Sequence, residues 1–341
     1  TKTLLCYFRQ SLPMLQTAIA TAQLGQTLSD DRHAIMPRLH PLTLEPLPAD
    51  QGKNLQLDMA EILTHIAQVV RHDLWQPASS QDLDLIETLV AYFLAWDYSL
   101  NADPPGDFGI WEEGVGGTTG DPIPIVHTST IATMLTGFSQ IQGLTLWADD
   151  GTQRAIAISD TVLSRGFELV NQRLQTMGET DDRTYDLTHL IVLNDHLDLV
   201  ALGKPGILTE ANVQRILASF PKLERDRGFV RYASAANLDG LDAYHQAGSP
   251  RGRSAEWTLG FGYAALIYTK LGQLETAQDY IAKLKNCFDP QTSLGLPEAY
   301  FGGTAQPVPI SPLTWANALY LIATMLWLGG REGGGSESNS G

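Results

Sequence analysis

The chain has 341 residues, of which 43% are hydrophobic and 18% are charged, and its formal net charge at pH 7 is −16. Such an acidic surface repels nucleic acid and anionic lipid, which excludes both as partners, and it tolerates a neutral ligand such as a sugar. No apolar run approaches the roughly 20 residues that span a bilayer, and the first residues lack the features of a signal peptide. We therefore expect a cytoplasmic protein, and the lack of an initiator Met leaves room for a natural start upstream of Thr1.

The two cysteines, Cys6 and Cys287, have none of the spacings that are typical of metal sites. We predict two buried thiols in a reducing compartment, in preference to one disulfide. Neither a metal nor a cofactor is expected. The final run REGGGSESNSG, residues 331–341, is predicted to be a flexible tail, which leaves residues 1–330 as a single domain.

Hydrophobic periodicity predicts about ten helical segments and no convincing series of strands. The segments are residues 3–25, 55–75, 79–100, 129–146, 152–177, 184–197, 210–220, 255–272, 274–288 and 311–330. Residues 37–53 and 221–253 are predicted to be long loops. The helices form antiparallel pairs with alternating long and short connections, which is typical of an all-α fold of the α/α toroid type. A helical solenoid is the alternative, but no repeat of fixed sequence is visible.

Four stretches at helix ends combine acids, aromatics and one arginine. They contain Gln56 and Asp58, then Trp111, Glu112 and Glu113, then Arg231 and Tyr232, then Glu298 and Tyr300, with Trp315 following on the last helix. In a toroid, loops from the same end converge on the mouth. The four aromatic side chains would then wall a pocket that holds two carboxylates and a guanidinium.

This set of residues suits the hydrolysis of a glycosidic bond. One protonated carboxylic acid gives a proton to the leaving oxygen, a second carboxylate activates water or attacks the sugar, and aromatic faces stack on the sugar. An acid beside an indole ring, as in Trp111-Glu112, can have a raised pKa. Each residue alone also has an ordinary explanation, because Asp58 can cap a helix, Arg231 can form a surface ion pair and Trp315 can belong to the core. Glu298 and the acids after Trp111 can likewise be solvated loop residues.

Several runs of this sequence resemble one known family in the same order. NLQLDMAEILTHIAQ, DFGIWEEG and HTSTIATMLTGFSQIQGL are followed by DRGFVRY, EWTLGFGYAALIYTKLG, GLPEAY and SPLTWANALYLIA. Together they resemble the glucoamylase-related domain of the phosphorylase kinase alpha and beta subunits, and the glucoamylases of glycoside hydrolase family fifteen. The resemblance covers roughly residues 50 to 328.

The resemblance implies an (α/α)6 toroid of the six-hairpin glycosidase type, with twelve helices. It implies an activity that releases glucose from the non-reducing ends of α-glucans with inversion. It matches Glu112 to the general acid and Glu298 to the general base. The other matches are Trp111 and Glu113 lining sugar subsites, Arg231 holding the sugar, Trp315 in the pocket wall, and Gln56 and Asp58 near the entrance.

One feature of the family is missing here. An early Arg-Asp pair grips the terminal sugar in the family, whereas this chain has only Asp31-Arg32 in the reverse order and Arg225-Asp226 far downstream. We therefore expect that the first helix pair is lacking. A pocket left open on one side would lower the rate as well as the affinity.

Two further functions remain open on the sequence. A non-catalytic toroid could bind a glucan or a protein partner, as the kinase subunits do, and the missing Arg-Asp pair favours this. Against it, two acids facing one pocket are costly unless catalysis needs them. A solenoid adaptor would instead present a concave groove without paired acids.

Overall fold

The structure is a computed structural model. It describes residues 2–26, 28, 60–96, 115–116, 122–123, 126–180, 183–233, 254–288, 295–309 and 311–334. Contacts divide the chain into two compact units. Unit 1 comprises Thr1–Leu174 and Leu202–Ile207, and unit 2 comprises Gln175–Ala201 and Leu208–Gly341.

Unit 1 is built from helix pairs. Its helices are α1 (Lys2–Gln10), α2 (Leu12–Gln23), α3 (Glu61–Arg71), α4 (Ser80–Ala95), α5 (Thr128–Ile141) and most of α6 (Asp160–Thr176). Helix α2 packs on α4, and α3 packs on α5. All residues of α5 are buried, and a Cβ on Gly137 would lie 2.7 Å from the Ala60 carbonyl oxygen. The small residue at position 137 therefore allows α5 to approach the start of α3 closely.

Unit 2 has α9 at its centre. Its helices are α7 (Thr188–Ala201), α8 (Glu210–Leu223), α9 (Leu259–Lys270), α10 (Leu274–Lys285) and α11 (Thr314–Gly334). Helix α9 packs on α7, α10 and α11, and its residues from Leu259 to Ile267 are all buried. A group of aromatic side chains fills the neighbouring core with ring centroids 5.6–6.4 Å apart; it consists of Phe220, Phe229, Phe261, Tyr268 and Tyr280.

Short strands lie between the helices and form four antiparallel pairs among the described residues. They are β1 (Val115–Gly116) with β2 (Pro122–Ile123), β3 (Thr145–Trp147) with β4 (Gln153–Ala155), β5 (Tyr185–Asp186) with β6 (Tyr232–Ala233), and β7 (Glu256–Trp257) with β8 (Ala299–Tyr300). In unit 2, β5 lies directly before α7 and β7 lies directly before α9. The residues around these strands are therefore fixed at the starts of two packed helices.

The all-α class predicted from the sequence is confirmed, because helices dominate the described residues and the strands are two or three residues long. Several boundaries differ from the prediction. The single helix expected at residues 3–25 is two helices that meet at Ser11, where Pro13 lies in the first turn of the second. The segments expected at 129–146 and 152–177 are shorter, since residues 145–147 and 153–155 form β3 and β4.

One other expectation is corrected. Cys287 is buried as predicted, but Cys6 is exposed, and both thiols are free. Helix α11 ends at Gly334, and the Arg331 guanidinium lies 5.0 Å from the centre of the Trp327 ring. The flexible tail at residues 331–341 stays a prediction. Within the described ranges, no helix combines the length and the hydropathy needed to cross a membrane.

Candidate functional site

Half of the predicted site residues lie in unit 2, near the strand pairs β5–β6 and β7–β8. They are Arg231, Tyr232, Glu298, Tyr300 and Trp315. The other predicted residues lie outside the described residues; they are Gln56, Asp58, Trp111, Glu112 and Glu113. The roles and spacing of this second group therefore stay predictions.

The backbone at Glu298 is fixed by the start of α9. The Thr258 amide donates to the Glu298 carbonyl oxygen at 3.2 Å, and the Thr258 hydroxyl donates to the Pro297 carbonyl oxygen at 2.6 Å. Two residues earlier, the Leu296 amide donates to Asn317 Oδ1 of α11 at 3.2 Å. The side chain of Glu298 is half-buried. The backbone that carries Glu298 is thus held by the start of α9 and by α11, and the residue is partly exposed.

Arg231 lies in the same region and is only 6% exposed. Its guanidinium lies 4.4 Å from the centre of the Trp257 ring, and Trp257 pairs with Ala299, the residue after Glu298. The burial excludes the explanation of Arg231 as an exposed surface ion pair. A planar guanidinium stacked on an indole is instead held in one orientation.

Tyr232 is the residue after Arg231, begins strand β6 and is half-buried. It pairs with Asp186 of β5, and the Arg183 guanidinium lies 4.1 Å from the centre of its ring. The amide of Leu187 donates to the Arg231 carbonyl oxygen at 2.8 Å, which extends the pairing between the two segments. The start of α7 therefore positions both Arg231 and Tyr232.

The two remaining predicted aromatics have different environments. Trp315 is half-buried in the first turn of α11, and its indole N–H donates to the Tyr263 hydroxyl of α9 at 3.2 Å. Tyr300 is only 3% exposed, and its hydroxyl donates to the Cys287 carbonyl oxygen at 2.9 Å. Tyr300 thus anchors β8, and its place in the pocket wall stays a prediction.

A buried charged cluster, which the sequence analysis missed, lies at the start of α7. It consists of Glu179, Arg183, Asp186 and His189, all less than 9% exposed. His189 Nε2 lies 3.6 Å from Glu179 Oε2. Burial raises the pKa of Asp186, and the nearby charge of Glu179 raises it further, while Arg183 and His189 oppose the rise. The run GETDDRTYD is dense in charge, but such runs are ordinarily solvated, so the sequence carries no signal of this burial.

Glu256 is a further buried acid that the sequence analysis did not single out. One carboxylate oxygen accepts from the Arg227 amide and the other from the Gly303 amide, each at 2.7 Å. The residue is 4% exposed and lies on β7, beside Trp257. Glu256 therefore ties two loops to the strand that supports Arg231 and Glu298. Among the described residues, no group of His, Cys, Asp and Glu has the geometry to hold a metal ion.

Comparison with known proteins gives a fold. No protein-family model and no curated protein matches the sequence. Several solved structures match, and three of them each match over 95% of this chain and 80% of their own. One is a glycosidase with a Glu-to-Ala substitution (TM-score 0.60, 14% identity), and another Glu-to-Ala glycosidase is in complex with glucose (0.58, 13%). The third is a glycosidase with a Phe-to-Tyr substitution (0.61, 15%).

The chain has a glycosidase fold. The identities of 13–15% establish the fold and do not by themselves transfer any residue's role. Within this fold, the described residues of the candidate site are Glu298, Arg231, Tyr232 and Trp315, with Trp257 under the Arg231 guanidinium. A partly exposed acid, a guanidinium packed on an indole and two half-buried aromatics are side chains of the kinds that bind sugars, and their meeting in one pocket stays a prediction.

Proposed function

We propose that the protein is an inverting, exo-acting glycoside hydrolase that releases glucose from α-glucans or oligosaccharides. The observation that carries this proposal is the packing of Arg231 on Trp257, whose strand partner Ala299 is the residue after Glu298. Thr258 fixes the backbone of Glu298, and Trp257 orients Arg231. A solved structure of the same fold is a glycosidase in complex with glucose, which favours a sugar as the ligand.

In this mechanism Glu112 is the general acid and Glu298 the general base. Glu112 gives its proton to the glycosidic oxygen as the bond to the sugar breaks, and Glu298 takes a proton from the water that attacks the opposite face. The product is β-glucose. An inverting enzyme of this type has its two carboxyl groups roughly 6.5–9.5 Å apart, which leaves room for the water.

The other residues of the site bind the sugar. Arg231 donates hydrogen bonds to hydroxyls at the cleaved bond, since a guanidinium has several donors in one plane. Tyr232 and Trp315 present partly exposed rings to the sugar faces. The remaining proposed contacts are Trp111 and Glu113 in the subsites, and Gln56 and Asp58 near the entrance.

The test measures glucose release from maltose, maltotriose and soluble starch, with the anomer followed by polarimetry. We expect β-glucose from the wild type, and a loss of about 10²–10⁴-fold in kcat for Glu112→Gln and for Glu298→Gln. Glu275→Gln, an exposed substitution on α10, is the control and should keep full activity.

Two outcomes would contradict the proposal. Release of α-glucose would exclude inversion. The absence of any release from the folded wild type would point to a glucan-binding or protein-binding regulatory role, and calorimetric titration with maltotriose would then identify the glucan-binding case.

A further inference from the structure

The buried charged cluster at the start of α7 places two acids and two basic side chains nearly out of contact with solvent. Glu179 and Asp186 are fully buried, and the nearby charge of Glu179 raises the pKa of Asp186. Two neighbouring buried carboxylates are unfavourable unless cations and hydrogen bonds compensate them. Arg183 and His189 supply positive charge, and Asp186 Oδ1 accepts from the Thr188 amide at 2.9 Å and from its hydroxyl at 2.8 Å.

The cluster is connected directly to one predicted sugar contact. Asp186 is the strand partner of Tyr232, and Arg183 lies over the Tyr232 ring at 4.1 Å. Two hydrogen bonds fix the Arg183 backbone, because its amide donates to the Thr180 carbonyl oxygen and its carbonyl oxygen accepts from the Glu179 amide. The backbone and the guanidinium of Arg183 are therefore both held. Tyr232 is in turn held by Arg183 and Asp186.

We propose that Arg183 and Asp186 are positioning residues that hold the Tyr232 ring as a sugar-stacking surface of the site. This inference rests on the proposed function, since it needs a sugar at Tyr232. Arg183 lies over the ring, and Tyr232 is still only half-buried, so a ligand can reach the exposed part of the residue. Asp186 is the strand partner of Tyr232 and fixes the backbone that carries the ring.

A neighbouring pair provides a natural comparison. Lys222 Nζ lies 4.1 Å from the centre of the Tyr185 ring, one position before Asp186, and donates to the Tyr185 hydroxyl at 2.5 Å. Lys222 is exposed, whereas Arg183 is 8% exposed. The two cation–ring contacts share their distance and differ in burial, so Lys222→Gln controls for the loss of an ordinary surface contact.

The experiment is a double-mutant cycle of Arg183→Gln and Tyr232→Ala, with KM and kcat measured on maltotriose. We expect Arg183→Gln to raise KM about fivefold and Tyr232→Ala about tenfold, with kcat changed less than about twofold, because uniform binding is lost. In the Tyr232→Ala background, Arg183→Gln should add less than about 1.5-fold, since it acts through the ring that is already gone. Lys222→Gln should leave both parameters unchanged.

The cycle separates positioning from general stability. If Arg183→Gln raises KM by the same factor in both backgrounds, the inference is overturned and the proposed function is left intact. An unchanged KM in Tyr232→Ala has the same consequence. If Arg183→Gln does not fold by circular dichroism, Arg183→Lys takes its place, because it keeps the charge and loses the planar stack. If the wild type binds maltotriose without releasing glucose, the same cycle is measured on Kd. A wild type that neither binds nor cleaves overturns both proposals.

Discussion

Asp186 is the residue at which local structure, electrostatics and the site meet. It ends strand β5, caps the first turn of α7 through Thr188 and pairs with Tyr232. Because its carboxyl group is fully buried, its pKa is raised. The native state therefore holds a proton at this position at pH values where the unfolded chain has released it. Between the unfolded and the native pKa, the stability contributed by Asp186 falls as the pH rises.

Asp186→Asn isolates this effect. The amide oxygen of Asn can still accept from Thr188, so the cap is kept and the titration is removed. We expect the free energy of unfolding of the wild type, minus that of Asp186→Asn, to decrease as the pH rises from about 4 to about 8. Urea unfolding across this range measures the difference.

Asp279→Asn on the exposed face of α10 is the control for replacing a carboxyl group by an amide at the surface. A wild-type-minus-Asp186→Asn difference that grows with pH would mean that the native carboxylate is stabilised as an anion.

At the scale of elements, the packing of α9 on α11 depends on a small residue. A Cβ on Gly262 would lie 2.7 Å from Leu319 Cβ, whereas a Cβ on Gly329 of α11 would meet nothing within 4 Å. Both glycines are in helices. The same substitution should therefore have opposite effects at these two positions.

We expect Gly262→Ala to destabilise the fold by about 1–3 kcal/mol, because α9 and α11 must move apart. Gly329→Ala should stabilise it by about 0.5–1 kcal/mol, since alanine favours the helix and restricts the unfolded chain. Thermal and urea unfolding of both variants tests the pair. A neutral Gly262→Ala would show that the contact between the two helices yields easily.

The helices were predictable because their apolar periodicity extends over ten or more residues, as in α4 and α10. The strands were not predictable, since a strand of two residues has no period to detect. The break at Ser11 was missed because Pro13 fits the first turn of α2, so both sides of Ser11 keep helical spacing.

For the molecule as a whole, some site residues lie in short runs of sequence, whereas other features of the site are contacts that form only when the chain folds. Arg231 and Glu298 were predictable because each lies in a short run that resembles a family. The stacking of Arg231 on Trp257 joins residues 26 positions apart, and the Glu179 cluster depends on burial, so neither can be inferred from spacing. The burial of Tyr300 likewise could not be inferred from its position beside a predicted acid.

The two thiols differ in one further way. Cys6 lies in unit 1 and is exposed, whereas Cys287 lies in unit 2 and is buried, with its Sγ donating to the carbonyl oxygens of Arg227 and Lys283. Burial raises the pKa of Cys287 to about 12, so the native thiol scarcely ionises near neutral pH.

The reactivity of Cys287 should consequently measure how often the surrounding part of unit 2 opens. A maleimide should modify Cys6 at the rate of a free thiol and reach Cys287 only when that part of unit 2 opens. Mass spectrometry of the two cysteine peptides over time would give both rates from one sample, with Cys6 as the internal reference. Equal rates would show that unit 2 opens around Cys287 as readily as an exposed surface reacts.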